Sequence, residues 1–300
     1  MKKDLLTLQD ITRDDLEQIF ELSTKLKKER GNQDFKPLTG KSVGLIFAKS
    51  STRTRISFEV GVSELGGYPL YLDQSKMQVG RGETISDTAH VLSRYLHGIV
   101  IRTFAHADVA ELAREADIPV INALTDEFHP CQLLADMLTI KEYSGKVDNS
   151  IRIAFYGDGR SNMANSLILA AKLTGMELVI AAPEEEAPST DLIGDAKNIV
   201  WEKDPLKAAE GVDYFYTDVW VSMGFEEERA RRMEIFRPYQ VTARLFEKAK
   251  PQAKFLHCLP AHRGEEVAAE VMDSPRSIVF DEAENRLHVQ KAVMSMLMGK

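Results

Sequence analysis

Two hydrophobic rhythms run through this chain. Short continuous apolar runs, of which Val43-Gly44-Leu45-Ile46-Phe47 is the clearest, have the pattern of strands buried on both faces. Between them lie longer segments whose apolar residues recur at helical spacing. In the first half the pattern predicts helices over 8–30, from Ser51 to Gly66-Gly67, and over 84–96, 107–116 and 131–143. Thr12 and Asp15 have capping-box spacing, and Ile56, Val60 and Leu65 form the expected apolar face of the second helix. Strands are expected at 42–47, 69–72, 98–102 and 119–123, with an exposed loop over 73–83. The pattern then restarts. Strands are expected at 151–156, 177–181, 198–202, 214–219, 254–259 and 277–280, and helices at 163–173, 205–210, 226–235, 238–249 and 284–298.

Strand and helix alternate throughout, which implies parallel sheets flanked by helices. At 300 residues, about two domains are expected. The predicted fold is therefore α/β, with two domains that each hold a parallel sheet flanked by helices and an active site in the cleft between them. The boundaries expected are 1–143 and 144–283, with a last helix over 284–300 packing back on the first domain. In open sheets of this kind ligands bind beyond the carboxyl ends of the strands.

Composition narrows the function. The net charge of −8 argues against a general nucleic-acid binder, so any anion site must be a local concentration of cations. Cys131 and Cys258 stand far apart without metal-ligand spacing, which fits a reducing cytoplasm. The first residues lack the apolar core of a signal peptide, and no apolar run approaches the roughly 20 residues of a membrane span. The expected location is cytoplasmic, with neither a nucleic-acid nor a membrane partner.

The most chemically loaded stretch is Ser50-Ser51-Thr52-Arg53-Thr54-Arg55, where the first strand hands over to a helix. A helix N-terminus offers unpaired N–H groups and a positive dipole end to an anion. Hydroxyl donors and the planar fork of Arg53 add to it. A simple Ser/Thr cap needs fewer donors, so an oxyanion site, phosphate above all, is the favoured reading. Arg102 ends another strand and His129 follows a third, with Gln132 one turn on. Asn162, Asp218 and Cys258 stand in the same relation to strands of the second half. Gly157-Asp158-Gly159 lacks the third glycine of a dinucleotide fingerprint, and no complete P-loop, H-E-x-x-H or clustered His/Cys set occurs. No nucleotide cofactor and no metal are expected.

Four of these motifs together resemble the aspartate/ornithine carbamoyltransferase family. They are Ser51-Thr52-Arg53-Thr54-Arg55, His129-Pro130-Cys131-Gln132, Asp218 with Ser222-Met223-Gly224, and His257-Cys258-Leu259-Pro260; the last two are similar to its ornithine branch. The resemblance spans essentially the whole chain. It implies that Ser51, Thr52, Arg53, Thr54 and Arg102 hold the phosphate of carbamoyl phosphate. His129, Gln132 and Arg286 would bind the carbamoyl group, and Cys258 and Leu259 would complete the site. Asn162, Asp218, Ser222 and Met223 would bind L-ornithine, with Cys258, Arg102, His129 and Arg53 as the catalytic set. It further implies a homotrimer in which Gln78 is lent to a neighbouring subunit's site. The chain departs from the family pattern at Ser161, where an asparagine is expected before Asn162.

The implied reaction gives L-citrulline and phosphate, as in arginine synthesis. The nearest rival is transfer to aspartate, which needs cations for the extra carboxylate where this chain has Asp218. A modified ornithine or a diamine is a second rival. A phosphate-binding protein without turnover is a third, and it gives no reason for Cys258.

Overall fold

The computed structural model describes residues 1–32, 34–49, 51–78, 82–221 and 226–299. Ser50, Ser222, Met223 and Gly224, singled out in the sequence, lie outside the described residues, as do residues 79–81 of the expected loop. The chain divides into two compact units. The first is Met1–Leu138 with Glu284–Lys300, and the second is Thr139–Ala283.

The first unit begins with α1 (Arg13–Lys28) and then alternates β1 (Ser42–Phe47), α2 (Thr52–Glu64), β2 (Tyr68–Asp73), α3 (Ile85–Tyr95), β3 (Gly98–Arg102), α4 (His106–Glu115) and β4 (Val120–Leu124). Helix α5 (Pro130–Ser144) carries the chain into the second unit. The sheet has the order β2-β1-β3-β4, all parallel. From β1 the chain passes first to one neighbour and then to the other. The carboxyl ends of β1 and β3 therefore flank the topological switch point.

The second unit contains β5 (Arg152–Tyr156), α6 (Asn162–Thr174), β6 (Glu177–Ala181), α7 (Thr190–Ile193), β7 (Ile199–Glu202), α8 (Pro205–Ala208), β8 (Tyr214–Thr217), α9 (Arg229–Phe236), α10 (Ala243–Phe246), β9 (Lys254–His257) and α11 (Ala269–Met272). Its sheet is again parallel, in the order β7-β6-β5-β8-β9, with its switch point between β5 and β8. Helix α12 (Val279–Met298) returns the chain to the first unit. There Met298 lies so close over β3 that a Cβ on Gly98 would come within 2.4 Å of its methyl carbon, so any larger residue at 98 would have to displace the end of that side chain. Among the described residues no helix is long and apolar enough to cross a membrane.

Several expectations are corrected. Residues 8–30 are not one helix. Leu8–Asp10 form a separate 3-10 turn, because the Asp10 carboxylate accepts the Leu6 and Thr7 amides, and Thr12 with Asp15 then caps α1 afresh. Helix α2 is rotated from the expected face. Ile56 is 53% exposed, while Thr54, Phe58, Val62 and Leu65 form the buried stripe, so the stripe that packs inward also carries a hydroxyl. The expected strand at 277–280 is a single bridge from Ser277 to Phe255 followed at once by α12. Ile278 and Val279 are buried there, and a short apolar run does not separate strand from buried helix. The segment 238–249 is likewise broken, since Val241 leaves the helical path to bridge Val267 before α10 begins. Helices α7 and α11 are too short to produce a recognisable period.

Candidate active site

In the first unit the switch point gathers hydroxyls and guanidiniums. Ser51 is the N-cap of α2, and its side chain makes no capping hydrogen bond. Instead Arg102, at the end of β3, donates from Nη1 to Ser51 Oγ and to Thr54 Oγ1, each at 3.3 Å. Arg286 on α12 donates from Nη2 to the same Thr54 oxygen at 2.8 Å. Two guanidiniums thus converge on the first turn of a helix whose amide ends already favour an anion. Thr52 is exposed on that turn and Arg53 half-buried. Gln78 is exposed, outside this cluster, in the loop beyond β2.

His129 and Gln132 open α5 and are buried. Burial above all, then the charges of Arg286 and Arg102, holds the His129 pKa well below 6.5. The imidazole is therefore neutral at physiological pH and able to offer an N–H without adding a third positive charge. Gln132 donates from Nε2 to Asp136 Oδ1 at 2.9 Å, one turn along α5, which fixes its amide. Cys131, between them, is a buried side chain whose pKa is pushed up to about 12 by burial, so it is an inert packing thiol.

In the second unit the candidate residues again stand at strand ends. Asn162 is the first residue of α6, after the turn that follows β5. The family departure at Ser161 has a local account: Ser161 is the N-cap, accepting the Ala164 amide at 3.2 Å, a task serine and asparagine do equally well. Asp218 follows β8 and Cys258 follows β9, and the thiol donates to Asp218 Oδ1 at 3.1 Å. The same oxygen accepts the Val219 amide at 2.7 Å. Burial raises the Asp218 pKa, against the opposing pull of His257, the Cys258 bond and the Val219 amide. Ser222 and Met223, expected beside it, lie outside the described residues.

Sequence reasoning missed what supports Cys258. His257 is buried, and its Nδ1 accepts the Leu259 amide at 2.8 Å. Its other ring nitrogen must then carry the proton, which it donates to Glu266 Oε1 at 3.2 Å. The His257 amide donates to Glu282 Oε2 at 2.9 Å, and Tyr216 donates its hydroxyl to the other Glu282 oxygen. This network holds Leu259 at φ +58°, a left-handed conformation uncommon outside glycine. Nothing in the local sequence marks either glutamate, and the fold shows that both are fully buried.

Among the described residues two groups of atoms lie close enough together to be considered as metal ligands, Asp218–His257–Cys258 and His262–Glu265–Glu266. Both are already committed to hydrogen bonds and ion pairs. Both ring nitrogens of His257 are engaged, Glu265 pairs with Arg229, and Glu266 pairs with His257.

Both halves of the chain match known proteins. The family model for the aspartate/ornithine carbamoyltransferase carbamoyl-P binding domain matches residues 3–142, and that for the Asp/Orn binding domain matches 149–297. Curated relatives include the ornithine carbamoyltransferase of Oceanobacillus iheyensis, 51% identical over 99% of this chain and 94% of the relative. That of Bacillus subtilis is 48% identical with the same coverages. Among solved structures, ornithine carbamoyltransferase from Pyrococcus furiosus superposes with a TM-score of 0.93 at 47% identity, covering 99% of this chain and 97% of that one. With both halves matched in order and relatives near half identity along its whole length, this chain belongs to the aspartate/ornithine carbamoyltransferase family and is an enzyme of that family.

Proposed function

We propose that this chain transfers the carbamoyl group of carbamoyl phosphate to the side-chain amine of L-ornithine, releasing L-citrulline and phosphate. We place it in the cytoplasm, in arginine biosynthesis, as a homotrimer. Ser51, Thr52, Arg53, Thr54 and Arg102 hold the phosphate. His129, Gln132 and Arg286 hold the carbamoyl group, with Cys258 and Leu259 completing the site. Gln78 reaches the site of a neighbouring subunit, a role that fits its exposure on a loop. Asn162, Asp218, Ser222 and Met223 take ornithine.

In this reaction a nitrogen–carbon bond forms as the bond from carbon to the phosphate oxygen breaks, and negative charge builds on the carbonyl oxygen and on the leaving phosphate. Preorganised donors facing those oxygens are usually the largest catalytic term. Arg102, Arg286 and neutral His129 supply donors of that kind. The nucleophile resembles lysine, with an unperturbed pKa of ~10.4, so it has to shed a proton before it attacks. Cys258 is the proton acceptor or hydrogen-bond partner in this reading, and Asp218 binds the α-ammonium.

The observation that carries the choice of ornithine is the 3.1 Å pairing of Asp218 with Cys258 at adjacent strand ends. An acidic group there attracts an ammonium and repels the extra carboxylate of aspartate. A colorimetric citrulline assay with carbamoyl phosphate, run on ornithine beside aspartate, N-acetylornithine and putrescine, tests it. Turnover on ornithine alone is expected. Turnover on another amine would overturn the reading of Asp218, and no turnover at all would favour a binding protein.

A further inference from the structure

The glycine-rich turn Gly157-Asp158-Gly159 has no place in the chemistry above, and neither has the arginine-rich helix α9. The fold joins the two. Three arginines lie in that helix. Arg229 and Arg231 are exposed and pair with surface glutamates, Glu265 for the first and Glu185, Glu186 and Glu228 for the second. Arg232 is only 3% exposed. Its Nε donates to the Trp220 carbonyl and its Nη2 to Asp158 Oδ2, both at 2.5 Å. The other Asp158 oxygen accepts the Arg160 amide at 2.8 Å.

These contacts have a particular place in the topology. Asp158 lies in the turn after β5, just before Asn162 at the head of α6. Trp220 lies just after Asp218, beyond the end of β8. The β5 and β8 ends are the two sides of the second sheet's switch point. Trp220 is itself buried and packs beside Gly157, whose φ of +135° is a backbone conformation that residues with a side chain rarely adopt. One guanidinium therefore holds both strand ends that present the proposed ornithine ligands. A planar fork can serve a carbonyl on one edge and a carboxylate on the other at fixed separation; an ammonium cannot. Loss of the guanidinium alone would also leave the Asp158 carboxylate without its partner, so stability and kinetics have to be read side by side.

We infer that Arg232 is a positioning residue for the amino-acid side of the site: it bridges the ends of β5 and β8 and sets the spacing between Asn162 and Asp218. The inference rests on the ornithine reading of those two residues.

The test is steady-state kinetics of the full chain carrying Arg232→Met, Arg232→Lys or Asp158→Asn, each substrate varied in turn, with thermal unfolding measured alongside. The ornithine KM should rise roughly ten- to a hundredfold in Arg232→Met, the scale set by ångström misplacement of a site group. Arg232→Lys should recover part of that loss, because an ammonium serves one arm of the bridge. Asp158→Asn should shift the same KM in the same direction by less. The carbamoyl phosphate KM should stay near the wild-type value in all three. An unchanged ornithine KM in a folded variant overturns the inference, as does a fall in kcat alone that tracks the unfolded fraction. If Arg232→Met does not fold, Asp158→Asn decides by the same criterion. Wild-type protein that does not turn over ornithine would remove the functional reading together with this inference. An active enzyme with indifferent variants would remove this inference alone.

Discussion

Arg286 donates to the Thr54 hydroxyl at 2.8 Å across 232 positions of sequence, and both side chains are buried. The last helix of the chain thus supplies a cation to the first turn of α2. Arg286→Met should raise the carbamoyl phosphate KM by roughly ten- to a hundredfold, the range for losing a charge-assisted hydrogen bond. The ornithine KM should change far less. Initial rates with each substrate varied check this, and equal losses on both substrates would count against a carbamoyl phosphate role.

His129 predicts a pH dependence. Burial, then Arg286 and Arg102, keeps it neutral in the folded chain, whereas in the unfolded chain it titrates near 6.5. The folded state therefore binds fewer protons as the pH falls below that value. Stability present above it is lost on acidification toward the lower folded pKa. His129→Asn should flatten the slope of melting temperature against pH between about 7 and 5. A slope identical to wild type would show that this imidazole does not stay neutral on folding.

The Asp218–Cys258 pair separates binding from chemistry. Asp218→Asn should weaken ornithine binding while leaving carbamoyl phosphate binding nearly unchanged. Burial, the first cause of the raised Asp218 pKa, also sets a pH signature: the carboxyl gains its proton above the ordinary 3.8 on acidification. The ornithine KM should rise along that acid limb, and Asp218→Asn should abolish the limb. In stability the sign is opposite to that of His129: the contribution is full below 3.8 and is lost as pH rises through the folded value. Cys258→Ser keeps a hydroxyl in place of the thiol and should lower kcat more than it raises either KM.

Lys291 is fully buried, and its Nζ reaches Glu64 Oε2 at 2.6 Å. Burial pulls the Glu64 pKa up, but Lys291 and Arg30 outweigh it and hold the carboxyl below 4.5. Glu64→Gln removes the charge from a carboxylate that pairs with this buried ammonium, a loss of about 3 kcal/mol. Differential scanning calorimetry should show a melting temperature lower by roughly 6–12 °C. Combining Glu64→Gln with Lys291→Met should restore much of it. An unchanged melting temperature in the single variant would mean that solvent reaches Lys291.

The parts of this molecule that are legible in sequence are those in which local pattern and final environment agree. Strands β1 and β3 are continuous apolar runs with covered faces, and their ends point directly to Ser51, Arg102 and the cluster around them. The expected face of α2 failed because Thr54 turns inward to meet two arginines, one of them from the far end of the chain. The stretch around Ile278 failed because a buried helix start and a strand look alike over three apolar residues. Glu266, Glu282 and Arg232 were illegible for a shared reason. Charged residues in polar surroundings suggest solvent, and only long-range packing shows that each is buried against a specific partner.

Helix α12 completes a unit whose other residues end at Leu138. As the chain leaves the ribosome, the whole first sheet emerges long before that helix exists. Until then Gly98 lacks the cover of Met298, Thr54 lacks Arg286 and Glu64 lacks Lys291. Every strand of the second sheet is made in the interval. The unit synthesised first is thus completed only after the second sheet, and the candidate phosphate cluster gains Arg286 only once translation has passed α12.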